Sequence, residues 1–304
     1  MNSVKIIGLK EGGVLFMLSM IGLAPHPPII IPEIGRGELS KVKQTVDGMK
    51  TLGSRIKDVQ PELLVIITPH GPVMQEGPAV LTDQQLSGDF GQFGFSNIQV
   101  TMRTDRQLVD LLVEETSLGS QSGSIKPVLL GENDNRLRGG KALDHGAAVP
   151  LYYLQESGVA VPGVHITIGL QPYQELYRFG RALKQAVDKR GSSTAVIASG
   201  DLSHRLTPGA PAGFSSRGAE FDQLLVDLVR EGRVEDILNI DLGLVEEAAE
   251  CGLRSFVMAL GMLDGLEFRP EVISYEGPFG VGYLVAALHP DQGKTSVYQD
   301  RRAE

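Results

Sequence analysis

The feature that most constrains this sequence is a unit that occurs twice, in which an apolar segment runs into a histidine beside proline. The first unit ends at His26, with prolines at positions 25, 27 and 28, and the second ends at His70, between Pro69 and Gly71. Proline fixes its own φ, lacks a backbone N–H and pushes the preceding residue toward extended geometry. His26 is therefore held rigidly at the end of a predicted strand, as a metal ligand or a reacting group must be.

Strand and helix patterns alternate along the rest of the chain. Apolar residues at intervals of three and four predict helices over 36–57, 105–115, 173–189, 220–230 and 244–264, the last interrupted near 251–252. Continuous apolar runs predict strands at 14–24, 63–68, 164–168, 194–198, 272–275 and 281–288. We also expect a helix from about Leu151, and loops and edge strands over 78–103. This alternation predicts an α/β fold, a three-layer α/β/α sandwich around a mostly parallel or mixed central sheet.

The chain has the size and composition of one large domain. With 304 residues, of which 42% are hydrophobic, it can bury a substantial core, and no break in composition divides it. We expect a single domain over 1–290 and a polar C-terminal tail over 291–304. Met17 or Met20 is an alternative start of the chain, in which case residues 1–16 would be an extension rather than part of the native protein.

Charge and cysteine content exclude several classes of partner. A formal net charge of -9 and the lack of a basic stripe argue against nucleic acid. A single cysteine, Cys251, cannot form an intramolecular disulfide, which fits a reducing compartment. The apolar run at 14–24 is about half the ~20 residues that a membrane-spanning helix needs. We therefore expect a soluble cytoplasmic protein without a membrane partner.

The histidines carry the main chemical signal. His26, His70, His145 and His204 sit beside proline or glycine or in loops after predicted strands, and open α/β sheets bind ligands at such strand ends. Two imidazoles and one carboxylate form the triad that holds non-haem Fe(II) with open positions. We take His26 and His70 as the first two ligands, and Glu250, at the helix break, as the carboxylate. The alternative is that His26 and His70 are loop histidines whose ring nitrogens form hydrogen bonds with the backbone.

Several motifs, in this order, resemble the LigB family of class III extradiol ring-cleavage dioxygenases and its Memo-like relatives. The resemblance spans nearly the whole chain, and its motifs are Pro25-His26-Pro-Pro, Pro69-His70-Gly, Asp144-His145-Gly, Ser199-Gly-Asp-Leu-Ser-His204 and Glu250-Cys251-Gly. Segments 88–94 and 275–283 resemble a subgroup that accompanies Memo and radical-SAM proteins, whose second small domain would begin where this chain ends.

The resemblance implies a role for each matching residue. His26, His70 and Glu250 would bind non-haem Fe(II), and His204 and His145 would act as acid and base while O2 opens the ring of a small catecholic substrate. Histidine suits both roles because its pKa lies near neutrality. A homodimer is the default expectation. The substrate would be selected by the loops over 88–95 and 206–214.

One position departs from the dioxygenase pattern. Memo-like relatives have a cysteine, followed by glycine, at the place of the third ligand, and this chain has Glu250 and Cys251 side by side. We prefer Glu250 as the ligand. A Cys251 thiolate would instead favour a softer metal, or another divalent ion, over iron–oxygen chemistry. That choice would define the alternative function, a Memo-like metal-binding protein that acts with a radical-SAM partner and does not cleave rings.

Other interpretations stay open for individual residues. His145 could follow a helix cap made by Asp144, and His204 could be a structural turn residue. His165 lies within an apolar strand, so we expect a buried histidine that supports its neighbours rather than a ligand. His289 is expected on the surface.

Overall fold

A computed structural model describes residues 17–118, 125–131, 134 and 143–295 of the chain. Its centre is an 8-stranded mixed sheet in the order β6-β3-β7-β2-β8-β1-β10-β9, and a separate 2-stranded sheet pairs β4 with β5. The strands are β1 Leu18–Ala24, β2 Leu63–Thr68, β3 Ala79–Leu81, β4 Gln85–Phe90, β5 Phe95–Arg103, β6 Val128–Leu130, β7 Gly163–Thr167, β8 Thr194–Ser199, β9 Leu266–Glu276 and β10 Tyr283–Thr295.

Helices cover both faces of the sheet, which confirms the predicted three-layer α/β/α arrangement. On one face α2 and α4 pack over a core cluster, and on the other face α3, α5, α6 and α9 pack over a second cluster. The helices are α1 Pro32–Gly35, α2 Lys43–Asp58, α3 Arg106–Leu118, α4 His145–Glu156, α5 Tyr173–Arg190, α6 Ser216–Glu231, α7 Val234–Leu238, α8 Leu242–Ala248 and α9 Leu253–Gly261.

Four neighbouring strands, β7-β2-β8-β1, run parallel through the middle of the sheet. Their carboxyl ends therefore lie side by side. Because side chains alternate between the two faces of a sheet, residues at matching register share a face. Thr68, Thr167 and Ser199 end their strands on the face covered by α4, and all three are fully buried. This polar band lies directly below the loops that carry the predicted site.

Three element boundaries differ from expectation. The helix expected from residue 36 begins as a 3₁₀ segment, Arg36–Val42, before α2. α4 begins at His145, six residues before Leu151, because the Asp144 side chain accepts a hydrogen bond from the Ala147 N–H and caps the helix. β10 continues to Thr295, so residues 291–295, assigned to the tail, extend that strand.

The remaining terminal predictions lie outside the described residues. These are the status of residues 1–16 and the tail beyond residue 295. Within the described part of the chain, none of the helices is both long and apolar enough to cross a bilayer.

A buried carboxyl group in the core makes the stability of the fold depend on pH. Asp222 of α6 is 1% exposed, accepts hydrogen bonds from the Ser203 N–H and the Tyr275 hydroxyl, and lies against the Gly282 backbone. Burial raises the pKa of Asp222 to about 6. Since the folded-state pKa is raised above the unfolded value, the protonated acid favours folding at low pH, and stability falls as pH rises through about 6.

We therefore predict that Asp222→Asn stabilises the protein more at pH 8 than at pH 5. The added difference in unfolding free energy should be about 1 kcal/mol, measured by urea denaturation at both pH values. Asp227→Asn on the same helix is the matched control, because Asp227 is partly exposed and paired with Arg230. Parallel pH profiles for wild type and Asp222→Asn would contradict the assignment.

Candidate metal centre

Loops at the carboxyl ends of three adjacent strands carry the candidate site. His26 follows β1, His70 follows β2, and the segment 200–204 follows β8, which lies between them in the sheet. Cys251 lies in the turn between α8 and α9. The parallel order of these strands is what brings residues distant in sequence to one edge.

Three donor atoms converge at this edge. The Nε2 atoms of His26 and His70 are 2.9 Å apart, and the Sγ of Cys251 is 3.7 Å from the Nε2 of His26. All three ligand atoms lie within 4.8 Å of one another. Two imidazole nitrogens facing each other with a thiol alongside form a donor set that suits a transition-metal ion. The structure thus brings together His26 and His70, as expected from the sequence.

Glu250 has a different position from the one expected for a ligand. Its Oε2 accepts a 2.6 Å hydrogen bond from the Leu253 N–H, at the first turn of α9. Burial raises the pKa of Glu250 to about 7. The carboxylate therefore satisfies an orphan donor at a helix start, and the converging group contains the neighbouring Cys251 and not Glu250.

His145 lies against both candidate ligand histidines. Its ring stacks on that of His70, with centroids 4.4 Å apart, and meets His26 edge-on at 5.4 Å. Phe93, at the tip of the β4–β5 hairpin, meets the His145 ring edge-on, with centroids 5.7 Å apart. As the first residue of α4, His145 owes its position to the cap that Asp144 makes.

His204 lies in the loop after β8, and its backbone N–H donates to the carbonyl of Ala248. Its Nδ1 is buried without a hydrogen-bond partner among the described residues. His204 is close enough to lower the pKa of His26 electrostatically, and His70 has the same effect on His204. The structure thus places both predicted acid–base histidines beside the converging donors, His145 in ring contact and His204 within electrostatic range.

Burial favours the uncharged forms of the histidines and the cysteine at the site. It lowers the pKa of His26 well below its usual value, with repulsion from His70 as the next cause, and it also lowers the pKa values of His70, His145 and His204. Burial likewise raises the pKa of the Cys251 thiol, with the nearby Asp201 carboxyl adding to the effect. Neutral imidazole is the form that binds metals. A bound cation would have to displace the thiol proton.

Asp201 is a residue of the candidate site that the sequence reasoning missed. Its Oδ1 accepts from the backbone N–H of His26 at 2.9 Å, and its carbonyl accepts from the N–H groups of Cys251 and Gly252. Its own N–H points at the Cys251 Sγ, 3.3 Å away. Asp201 lies within the motif Ser199-Gly-Asp-Leu-Ser-His204, from which only His204 was selected as a site residue. The same motif could have indicated Asp201.

Two glycines allow the loops to meet. A Cβ on Gly200 would lie 2.0 Å from the Cα of Gly252, so the two backbones pack in direct contact. Ala249, just before the candidate ligand turn, has a φ of 51° in the left-handed region. This conformation is rare for a residue with a side chain and is found where the surroundings impose it. The position of Cys251 is therefore set by backbone contacts on both sides.

A buried network lies below His70. Asp144 accepts hydrogen bonds from Thr68 Oγ1 at 2.6 Å and from His165 Nε2 at 3.0 Å. Burial alone would raise the pKa of Asp144, but these two partners hold it well below its usual range. Thr68 Oγ1 in turn accepts from the His70 N–H at 3.3 Å. His165 therefore reaches the site through its hydrogen bond to Asp144.

Comparison with known proteins agrees with this geometry. The sequence profile of the LigB family, described as the catalytic LigB subunit of aromatic ring-opening dioxygenase, matches residues 21–286. The chain belongs to the LigB family, which confirms the family predicted from its motifs.

Similar proteins include one without a stated activity. Protein CA_C1420 of Clostridium acetobutylicum is 37% identical over 276 residues, which are 90% of this chain but 58% of that protein, so the chain spans little more than half of that relative. The 2-aminophenol 1,6-dioxygenase beta subunit of a Pseudomonas species is 23% identical over 86% of this chain and 91% of its own length.

Two further proteins from Escherichia coli are similar. Its 3,4-dihydroxyphenylacetate 2,3-dioxygenase is 30% identical over 43% of this chain and 51% of its own length. The crystal structure of uncharacterized protein JW3007 superimposes with a TM-score of 0.60 at 15% identity, covering 88% of this chain and 99% of that one. This structural likeness supports the fold.

The contact between Gly200 and Gly252 yields a prediction. Gly200→Ala should force the two loops apart, lower the unfolding free energy by about 1–3 kcal/mol, and expose Cys251. Because Cys251 is the only cysteine of the chain, the rate at which a thiol reagent labels the native protein reports on this residue alone. We expect faster labelling in the variant.

Gly209→Ala is the matched control, because a Cβ at that position meets nothing within 4 Å. Equal labelling rates for wild type, Gly200→Ala and Gly209→Ala would show that the backbone contact does not position Cys251.

Proposed function

We propose that this chain binds one transition-metal ion through His26 Nε2, His70 Nε2 and Cys251 Sγ, and that it works as a metal-dependent LigB-family protein without aromatic ring cleavage. The observation that carries the proposal is the convergence of these three donor atoms within 4.8 Å. This is the Memo-like alternative of the sequence analysis, with Cys251 in place of Glu250 as the third ligand.

The residues present fit a metal ion. Burial lowers the pKa values of both histidines, and their Nε2 atoms face each other rather than a carboxylate or a backbone carbonyl. A thiolate beside two imidazoles favours zinc or copper, and a bound ion of this kind supplies Lewis acidity or electron transfer. Thiolate ligation is less suited to the Fe(II) and O2 chemistry of a carboxylate triad.

The surrounding residues would serve the bound ion in distinct ways. Asp201 ties the loops of His26 and Cys251 together through three backbone N–H groups. Burial lowers the pKa values of His145 and His204 and so favours their neutral forms, which can take up a proton from a group that binds beside the ion. Phe93 adds an apolar edge next to His145, consistent with a small organic ligand.

The second candidate is the ring-opening reaction named for two of the relatives. A 2-aminophenol and a dihydroxyphenylacetate dioxygenase are similar to this chain, and the two acid–base histidines lie beside the converging donors. This function would require Fe(II), O2, a catecholic substrate and Glu250 as ligand. Glu250 would have to give up its hydrogen bond from the Leu253 N–H.

Partners belong to the same proposal. One relative is a beta subunit, so a second subunit is a candidate partner beside the homodimer. A radical-SAM protein is the partner that the Memo-like alternative would predict.

The ligand set can be tested by anaerobic titration with Co(II) and Zn(II). We expect Cys251→Ser to weaken binding by on the order of 100-fold and to abolish the sulfur-to-cobalt charge-transfer band. Glu250→Gln should keep both the affinity and the charge-transfer band, because a glutamine oxygen can still accept a hydrogen bond from the Leu253 N–H. His289→Gln removes a histidine that bonds Glu271 away from the site and is the matched control. Tight binding by Cys251→Ser together with its loss in Glu250→Gln would overturn the proposed ligands.

The absence of ring cleavage is a separate prediction. After anaerobic loading with Fe(II), the protein should show no substrate-dependent O2 uptake and no yellow ring-opened product with catechols or 2-aminophenol. An oxygen electrode and absorbance spectra provide the measurement. Turnover that disappears in Glu250→Gln and persists in Cys251→Ser would establish the second candidate in place of the first.

A further inference from the structure

A proline inside a helix frees one backbone carbonyl next to the candidate ligands. Pro150 lies in the interior of α4. Because proline has no N–H, it cannot donate the usual helical hydrogen bond to the carbonyl four residues earlier. That carbonyl belongs to Gly146, on the turn of α4 that packs against the strand ends. A Cβ on Gly146 would lie 2.4 Å from Thr68 Oγ1, so helix and sheet are in close contact here.

Ser199 connects this carbonyl to His26. Its hydroxyl Oγ lies 2.5 Å from the Gly146 oxygen and 2.9 Å from the His26 Nδ1. Ser199 is fully buried at the end of β8. A carbonyl oxygen can only accept, so the single hydroxyl hydrogen of Ser199 must point at Gly146. Its oxygen is then left to accept from the imidazole, which requires a hydrogen on the Nδ1 of His26.

We propose that Pro150 and Ser199 are positioning residues that fix His26 in the tautomer protonated at Nδ1. The Nε2 lone pair of His26 is thereby aimed at the point where His70 Nε2 and Cys251 Sγ converge. This inference rests on the ligand set of the proposed function and explains how that set is prepared before an ion binds.

The alternative tautomer conflicts with the rest of the geometry. A hydrogen on Nε2 would point at the ion's position, and Nδ1 would then need the hydroxyl hydrogen of Ser199. The Ser199 and Gly146 oxygens would face each other at 2.5 Å without a hydrogen between them. Two buried acceptors in contact, without a hydrogen between them, destabilise this arrangement. In the favoured arrangement His26 Nε2 accepts from His70 Nε2, 2.9 Å away.

Pro150 matters because it leaves the Gly146 carbonyl without a helical donor. With alanine at this position, the new N–H would donate to that carbonyl and compete with Ser199. The hydroxyl hydrogen could then turn toward Nδ1, and the opposite tautomer would gain population. Proline normally destabilises a helix interior, and at this position it serves the orientation of His26.

The test is the tautomer of His26 in the metal-free protein, read from long-range ¹H–¹⁵N correlations of ¹⁵N-histidine-labelled samples. His26→Gln identifies the signals of this ring by their loss. We expect wild-type His26 to carry its hydrogen on Nδ1. Ser199→Ala should shift the hydrogen to Nε2 and weaken Zn(II) binding about 10–100-fold, and Ser199→Thr, which keeps a hydroxyl, should restore both.

Ser157→Ala is the matched control, since the Ser157 hydroxyl donates to the Tyr153 carbonyl at the far end of α4. It should change neither the tautomer nor the affinity. Pro150→Ala should populate both tautomers and weaken Zn(II) binding several-fold while leaving the fold intact. Unchanged tautomer and affinity in Pro150→Ala would overturn the role of the proline.

Wild-type His26 protonated at Nε2 would overturn the whole inference, and this measurement does not depend on any variant folding. An unchanged tautomer in Ser199→Ala would overturn the role of the serine. If the tautomers behave as expected but no metal binds to the wild type, the positioning role stands and the proposed function fails.

Discussion

Asp201 makes the interaction on which the candidate site depends. One residue at the end of a central strand accepts from the backbone of both loops that carry candidate ligands, through its side chain to His26 and through its carbonyl to Cys251 and Gly252. Burial raises the pKa of Asp201 to about 7, with the His26 N–H opposing this effect. Through Asp201 both loops are hydrogen-bonded to the end of a strand that is buried in the sheet. The core therefore limits the movement of the candidate ligand atoms.

The pattern of the sequence predicts most of the architecture because local signals and tertiary packing agree there. Parallel strands rich in branched apolar residues appear where the runs at 63–68 and 194–198 predicted them. The juxtaposition of His26 and His70 follows from two strand ends at one edge of a sheet. The main prediction placed the start of α4 near Leu151 because Pro150 favours a helix that begins near it, whereas the alternative, with Asp144 as the cap before His145, has the start right.

The third donor could not be predicted from sequence for a geometric reason. Glu250 and Cys251 are adjacent, and a change of one residue in a turn redirects a side chain completely. The outcome depends on the left-handed conformation of Ala249 and on the backbone contact between Gly200 and Gly252. Both arise from segments about 50 residues apart in the chain, so no local pattern encodes them. The same holds for Ser199, whose role depends on a carbonyl of α4.

The prolines around His26 have a consequence for the dynamics of its loop. Positions 25, 27 and 28 lack an amide hydrogen, so the N–H of His26 is the only backbone donor over residues 25–28. That donor is bonded to Asp201. No other backbone N–H within residues 25–28 can replace this bond to the sheet. A single amide proton therefore reports, through its exchange with solvent, on whether the loop is attached to the sheet.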